Sequence, residues 1–295
     1  MRIKGYIYVM IAGLLWGILG PFSKLAFKEG LEPMEVAFWR AVIAWFFFGT
    51  HAFITKQLKI QKNDIFLVIL FGITGIALLY GSYQLAIIKG GAALASVLLY
   101  TAPAWVAVMS AFFFKEKFTR VKLIALTMTL SGIACVSYGS ANGNIDGVQI
   151  SLGAIIFGLL AGFFYSLYSI FGKHFSSRYT SSNLFLYILP IGAFCIFPWV
   201  EFTHKTYTAW GALICIAVPS TYGAYFFYYL GLQTLEASKV AITATIEPIF
   251  AAIVAFFWWN EYFTIFGYAG SILVLAAVLL IILDEKISSA THQTE

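Results

Sequence analysis

Ten apolar runs follow one another along the chain, at residues 6–27, 34–54, 65–88, 92–114, 121–139, 150–172, 182–200, 209–230, 238–259 and 264–283. Each is close to the roughly 20 mainly apolar residues that cross the hydrocarbon core of a bilayer as a helix. Backbone inside lipid must satisfy its hydrogen bonds within a helix or a closed barrel. Barrel strands would show as alternating segments of about ten residues; these runs are unbroken, so they are predicted to be helical. Short polar segments separate them: Lys28-Glu29-Gly30, Lys56 to Asp64, Lys89-Gly90-Gly91, Lys115-Glu116-Lys117, Asn142-Gly143-Asn144, Arg178 to Ser182, and Asn260-Glu261. The chain is 61% hydrophobic and 11% charged, with mean hydropathy +0.88, whereas soluble domains carry about 25% charge. The first run follows Arg2 and Lys4 but is too long for a signal-peptide core, so it is read as the first span. The expected fold is an all-α integral membrane protein of ten transmembrane helices, with no room between spans for an extramembrane domain.

Orientation follows from the basic residues. With the N-terminus in the cytoplasm, only Lys28, Lys89 and Lys205 of the 18 Lys and Arg residues fall on the far side, while Lys24 and Arg40 lie inside spans. The excess of Lys and Arg in cytoplasmic segments therefore places both termini inside. Residues 56–63 and 115–120 are expected to face the cytoplasm, and residues 140–147 the periplasm. Single cysteines test this in a chain stripped of Cys135, Cys195 and Cys215. An impermeant thiol reagent added to intact cells is expected to label Asn144→Cys and spare Asn63→Cys; labelling of Asn63→Cys overturns the assignment.

A shift of 145 residues lays the last five spans on the first five. Gly13-Leu14-Leu15 with Gly17 falls on Gly158-Leu159-Leu160 with Gly162, Lys28 on Lys173, Tyr83 on Tyr228, Leu85 on Leu230, and Pro103 on Pro248. Phe112 falls on Phe257, and Glu116 with Phe118-Thr119 on Glu261 with Phe263-Thr264. Five spans per half is an odd number, so the second half inserts upside down. Two inverted five-helix repeats, residues 1–143 and 144–295, are expected to superimpose after a half-turn about an axis in the membrane plane, Pro103 landing on Pro248 and Glu116 on Glu261. Inverted repeats typify secondary transporters, whose substrate site lies near the midplane between the repeats.

Five plus five helices, Trp16-Gly17 in the first span, Phe38-Trp39-Arg40 in the second, and the paired segments Pro103 to Glu116 and Pro248 to Glu261 resemble the EamA type of the drug/metabolite transporter superfamily. The resemblance covers nearly the whole chain. It implies a bacterial inner-membrane carrier, typically an exporter of amino acids or related metabolites.

Several residues are candidates for the site. Glu247 lies about ten positions into the ninth span, roughly 15 Å along the helix and hence near the midplane, where ionisable groups suggest a proton relay or substrate contact. A neutral carboxylic acid bonded between helices is the competing reading. Pro248 beside it cannot donate a backbone hydrogen bond and is expected to loosen the helix locally. The repeat partner of Glu247 is Ala102, and no Lys or Arg appears at comparable depth. Arg40, six residues inside the second span, can be an anion contact or gate, but its place in a segment common to the resembled family favours a structural clamp. Lys24, near the outer end of the first span, could attract a carboxylate if it points inward. Tyr80 with Gln84, and Tyr225 with Tyr229, sit four apart and so share helix faces. With Tyr100, Trp105, Tyr165 and Tyr168 they could wall a ligand cavity, although many tyrosines belong to interfacial belts. Glu116 and Glu261 precede Thr119 and Thr264, residues suited to capping the next helix. Gly13-x-x-x-Gly17 and Gly158-x-x-x-Gly162 fit close helix approach.

Other classes find little support. No basic face suits nucleic acid, no G-x-x-x-x-G-K-[ST] loop points to direct ATP use, and the three cysteines form neither a disulfide framework nor a metal pattern. No catalytic residue, metal ligand or cofactor site is expected. The function expected is secondary transport of a small polar or amphipathic metabolite by alternating access, with membrane lipid as environment, protons as the candidate coupling ion, and a monomer or homodimer as the assembly. Amino-acid-type export is what the resemblance implies. The alternatives are exchange-driven uptake of a larger nucleotide-linked or sulfonium metabolite, a passive channel, and an intramembrane enzyme acting on lipid-linked substrates.

Overall fold

The computed structural model describes residues 2–140, 151–259 and 264–291. Among them are no strands, and nine helical stretches are long and apolar enough to cross a membrane. Arg120–Ser140 completes ten as the counterpart of Ile265–Thr291, the two starting 145 residues apart and packing along each other. Asn142 to Asn144 and Asn260 to Phe263 lie outside the described residues. The expected pairing of Glu116 with Glu261 therefore does too.

Both halves break their helices at matching places. The third span carries a π-helical turn at Ile73–Leu78 and the eighth carries one at Val218–Gly223. The fourth span pauses at Tyr100 and Thr101 before restarting as Ala102–Phe114; the ninth pauses at Thr245 and Ile246 before restarting as Glu247–Trp259. Each restart has proline as its second residue, Pro103 or Pro248, where the first helical turn has no use for the missing N–H. Pro248 therefore opens a half-helix that begins in mid-membrane. Leu79–Leu99 is helical throughout, yet the chain folds back between Tyr83 and Ser96, in the stretch that holds the predicted turn Lys89-Gly90-Gly91. The Tyr83 hydroxyl reaches Ser96 Oγ at 3.1 Å, whereas thirteen residues of straight helix would hold them about 20 Å apart.

Contacts between the halves are reciprocal, as a two-fold relation demands. The first span packs on the break of the ninth: a Cβ on Gly13 would lie 3.5 Å from Glu247 N, and one on Gly17 2.8 Å from Ala251 N. The sixth span, Leu152–Phe175, packs on the break of the fourth, a Cβ on Gly162 lying 2.7 Å from the Leu98 carbonyl. The small residues thus let whole helices approach broken ones. Because a Cβ on Gly17 would meet Phe250 Cβ at 2.7 Å as well as backbone, Gly17→Ala is expected to cost about 1–3 kcal/mol, the usual range for overpacking. It should lower the thermal midpoint of the purified protein. Gly211→Ala, where a Cβ would meet nothing within 4 Å, is expected to leave it unchanged or raise it.

Polar clusters tie the two halves together at the span ends. Both carboxylate oxygens of Asp64 accept from Arg178, at 2.8 and 2.9 Å, and one also accepts from the Tyr179 hydroxyl at 2.6 Å. Thr119 caps the following helix by accepting from Lys122 N at 3.2 Å, as its position predicts. Glu116 does something the sequence did not suggest: it crosses to the other half and accepts from Ala237 N at 2.7 Å and from Ser238, capping the ninth span's first half-helix. Lys122 lies 3.6 Å from Glu116 and 2.5 Å from Glu236, neutralising this cluster.

Candidate functional site

Between the matched breaks lies a central cavity whose empty space, counting the part open to the outside, is about 570 Å³. Its wall comes from Trp16 and Leu19 on the first span, Arg40 on the second, Leu79, Tyr80 and Tyr83 on the third, and Leu99 on the fourth, then Tyr165 and Tyr168 on the sixth, Tyr225 on the eighth and Glu247 on the ninth. A small, narrow hollow adjoins it, lined by Tyr100, Tyr165, Ser169, Tyr228 and Thr245 among others. Tyr80 and Tyr225, repeat mates, share a hydrogen bond at 2.7 Å, so the pseudo-two-fold axis runs between them.

Arg40 is oriented by the eighth span. Its Nε donates to Thr221 Oγ1 at 2.7 Å and its Nη2 to the Tyr225 hydroxyl at 3.3 Å. The guanidinium carbon lies 4.9 Å from the Tyr80 ring centre and 5.7 Å from that of Tyr225, within cation–π range. Thr221 belongs to the π-turn, and its hydroxyl donates to the Ile216 carbonyl five residues back at 3.0 Å. The widened turn thus supplies the acceptor that holds Arg40 at the cavity. A guanidinium has five N–H donors, and these two bonds leave others for a ligand.

Glu247 opens the second half-helix of the ninth span and presents its carboxylate to the cavity, with the Tyr100 hydroxyl as hydrogen-bonding neighbour. It lies within electrostatic reach of Arg40, yet no ion pair joins the two among the described residues. A guanidinium and a carboxyl group therefore share a tyrosine-walled space without pairing directly. A ligand bearing both charges could complete each.

Sequence depth placed Arg40 near the outer interface and found no cation level with Glu247. The structure differs on both points, because the long side chain is drawn inward by Thr221 and the tyrosine faces. Of the other candidates, Tyr80 and Tyr225 line the cavity and Tyr100 lines the adjoining hollow. Gln84 is absent from both walls. Tyr229 is buried in the core and donates to the Tyr179 carbonyl at 3.1 Å. Trp105 is 39% exposed on the outside of the bundle and meets Phe163 edge-on at 5.6 Å. Lys24 is exposed and lies off the cavity wall. Nothing in the sequence singled out Thr221, Tyr83 or Tyr228 for the site. The repeat match of Tyr83 with Tyr228 was the available signal for two of them.

The sequence profile of the EamA-like transporter family matches residues 3–138 and 152–283, one segment in each half. The chain belongs to this family. Relatives extend over nearly all of the chain. The "Uncharacterized inner membrane transporter YicL" of Salmonella typhimurium is 24% identical over 292 residues, covering 96% of each chain. An "Uncharacterized transporter" of Archaeoglobus fulgidus is 23% identical, covering 95% of this chain and 99% of its own. The "Pseudopaline exporter CntI" of Pseudomonas aeruginosa is 25% identical over 292 residues, covering 96% and 97%. A solved crystal structure superimposes with a TM-score of 0.83 at 16% identity, covering 96% of this chain and 98% of that one, and shares its fold. The protein is thus a multi-pass EamA transporter with a central cavity between its two repeats.

Proposed function

We propose that this EamA transporter exports a small amphipathic, amino-acid-type metabolite across a bacterial inner membrane by alternating access, with both termini in the cytoplasm. The observation that carries the reading is the pair Arg40 and Glu247, opposite charges facing one tyrosine-walled cavity with no ion pair between them. A zwitterion answers that arrangement: its carboxylate meets Arg40, its ammonium meets Glu247 and Tyr100, and its apolar body lies against Trp16, Leu79 and Tyr165. Aromatic walls with a few convergent polar groups are the usual composition of a small-molecule site. Export draws support from the name of the Pseudomonas relative. Protons are the proposed coupling ion, with Glu247 as the group that would exchange them. The two halves, residues 1–143 and 144–295, rock about the cavity, and the symmetric breaks at 100–101 and 245–246 supply the places to bend.

A screen of the purified protein by thermal shift against amino acids and common metabolites tests the substrate class, since a ligand of the folded state raises apparent stability by mass action. Stabilisation by zwitterionic amino acids is expected. Stabilisation by nucleotide-linked or sulfonium compounds alone would replace the reading with an exchanger, and flux in proteoliposomes with and without internal substrate would then establish the mode.

A further inference from the structure

We propose that Tyr168 is a specificity-determining residue, whose hydroxyl joins Arg40 in receiving the carboxylate of the substrate. The inference rests on the amino-acid reading given above. Tyr168 projects from the sixth span into the cavity wall and is only 3% exposed, yet its hydroxyl oxygen has no hydrogen-bond partner. Buried polar groups are nearly always paired, and leaving one unpaired is unfavourable unless a ligand completes it. The ring itself is well held, with Phe71 at 5.6 Å, Tyr225 at 5.1 Å and Tyr228 at 5.8 Å between ring centres.

None of these neighbours bonds the hydroxyl. Phe71 has no polar atom, the Tyr225 hydroxyl is engaged by Tyr80 and Arg40, and that of Tyr228 is bonded to Ser169 Oγ at 2.7 Å. Of the remaining ring neighbours, Phe185 at 6.2 Å has no polar atom, and Tyr165 at 6.3 Å, itself on the cavity wall, makes no bond to the hydroxyl; the side left for a partner is the cavity. Arg40, near enough to act electrostatically with Tyr168, repels a cationic group from this end and attracts an anionic one. A carboxylate has two oxygens and can accept from a guanidinium and a phenol together. The repeat position of Tyr168 is Ser23, so the pseudo-symmetric location lacks a phenol and the donor end of the cavity is one-sided. A zwitterion is thereby bound in a single orientation, with its ammonium toward Glu247.

The test compares two amino acids, L-leucine and L-phenylalanine, with the amines that lack only the carboxylate, isoamylamine and phenethylamine. Binding to purified full-length protein is measured for wild type, Tyr168→Phe and Tyr229→Phe. Wild type is expected to bind the amino acids at least tenfold more tightly than the amines. Tyr168→Phe should shrink that ratio at least fivefold through the amino acids alone, and its ligand-free thermal midpoint should equal or exceed that of wild type. Tyr229→Phe, which removes a core hydroxyl bonded to the Tyr179 carbonyl away from the cavity, should keep the ratio. An unchanged ratio in Tyr168→Phe overturns the proposal and leaves the amino-acid reading standing. A lowered ligand-free midpoint or failed folding of Tyr168→Phe also overturns it, because an unpartnered hydroxyl contributes nothing to the fold. Wild type that binds the amines as tightly as the amino acids overturns it as well. Wild type that binds neither amino acid overturns both.

Discussion

Glu247→Gln is expected to weaken binding of a zwitterionic substrate by roughly 10- to 150-fold. A hydrogen bond to a charged group contributes about 1.5–3 kcal/mol, and each 1.4 kcal/mol is about tenfold in Kd. Glutamine preserves the volume at the start of the half-helix and can still bond the Tyr100 hydroxyl, so the loss reports charge. The repeat mate Ala102 cannot substitute, since its side chain offers no polar atom. Competition binding and pH-dependent flux in proteoliposomes separate the two roles assigned to this residue. Reduced affinity marks a substrate contact. Retained affinity and exchange, with loss of pH-dependent net transport, marks a proton site. A variant that matches wild type in affinity and pH profile makes Glu247 structural and removes the anionic end of the proposed site.

The spans were legible in the sequence because lipid leaves the backbone one solution, and every run that obeyed it became a helix. The two-fold plan was legible because Gly and Pro recur at a fixed shift where each meets a geometric need. Gly13 and Gly158 lie against broken helices, and Pro103 and Pro248 open half-helices. The π-turns were not legible. Ile73–Leu78 and Val218–Gly223 occupy equivalent places without sharing a residue at any matched position, so packing between spans, and not local sequence, sets them. Arg40 was misplaced for a related reason. Counting residues from the end of a span gives the height of a Cα, whereas a guanidinium goes where its hydrogen bonds are, and Thr221 lies 181 residues away. Trp105 shows the converse limit, because helical spacing assigns a residue to a face without saying whether lipid or cavity lies beyond it. Glu116 was legible only as the neighbour of a capping threonine, because the helix end that it caps lies in the other half of the chain.

Arg40→Lys is expected to reduce affinity for a carboxylate-bearing substrate at least tenfold although it keeps the charge. Lysine is a compact, strongly hydrated charge on a flexible stem, whereas arginine combines a planar fork with stacking on aromatic faces. An ammonium at position 40 could meet Thr221 or Tyr225, but it could not hold both, lie over Tyr80 and still present donors to a ligand. The dependence between Arg40 and Glu247 is the sharper measure. In a water-poor site, removing one of two opposite charges leaves the other uncompensated. Arg40→Gln and Glu247→Gln should therefore each lower the thermal midpoint of the ligand-free protein, while the double variant recovers part of the loss. The expected coupling is about 0.5–3 kcal/mol, the range for groups that share an electrostatic environment. Denaturation of the four proteins under one set of conditions gives the value. Strict additivity would mean that the two charges do not sense each other across the cavity, and a dipolar substrate would then have no electrostatic reason to bind between them.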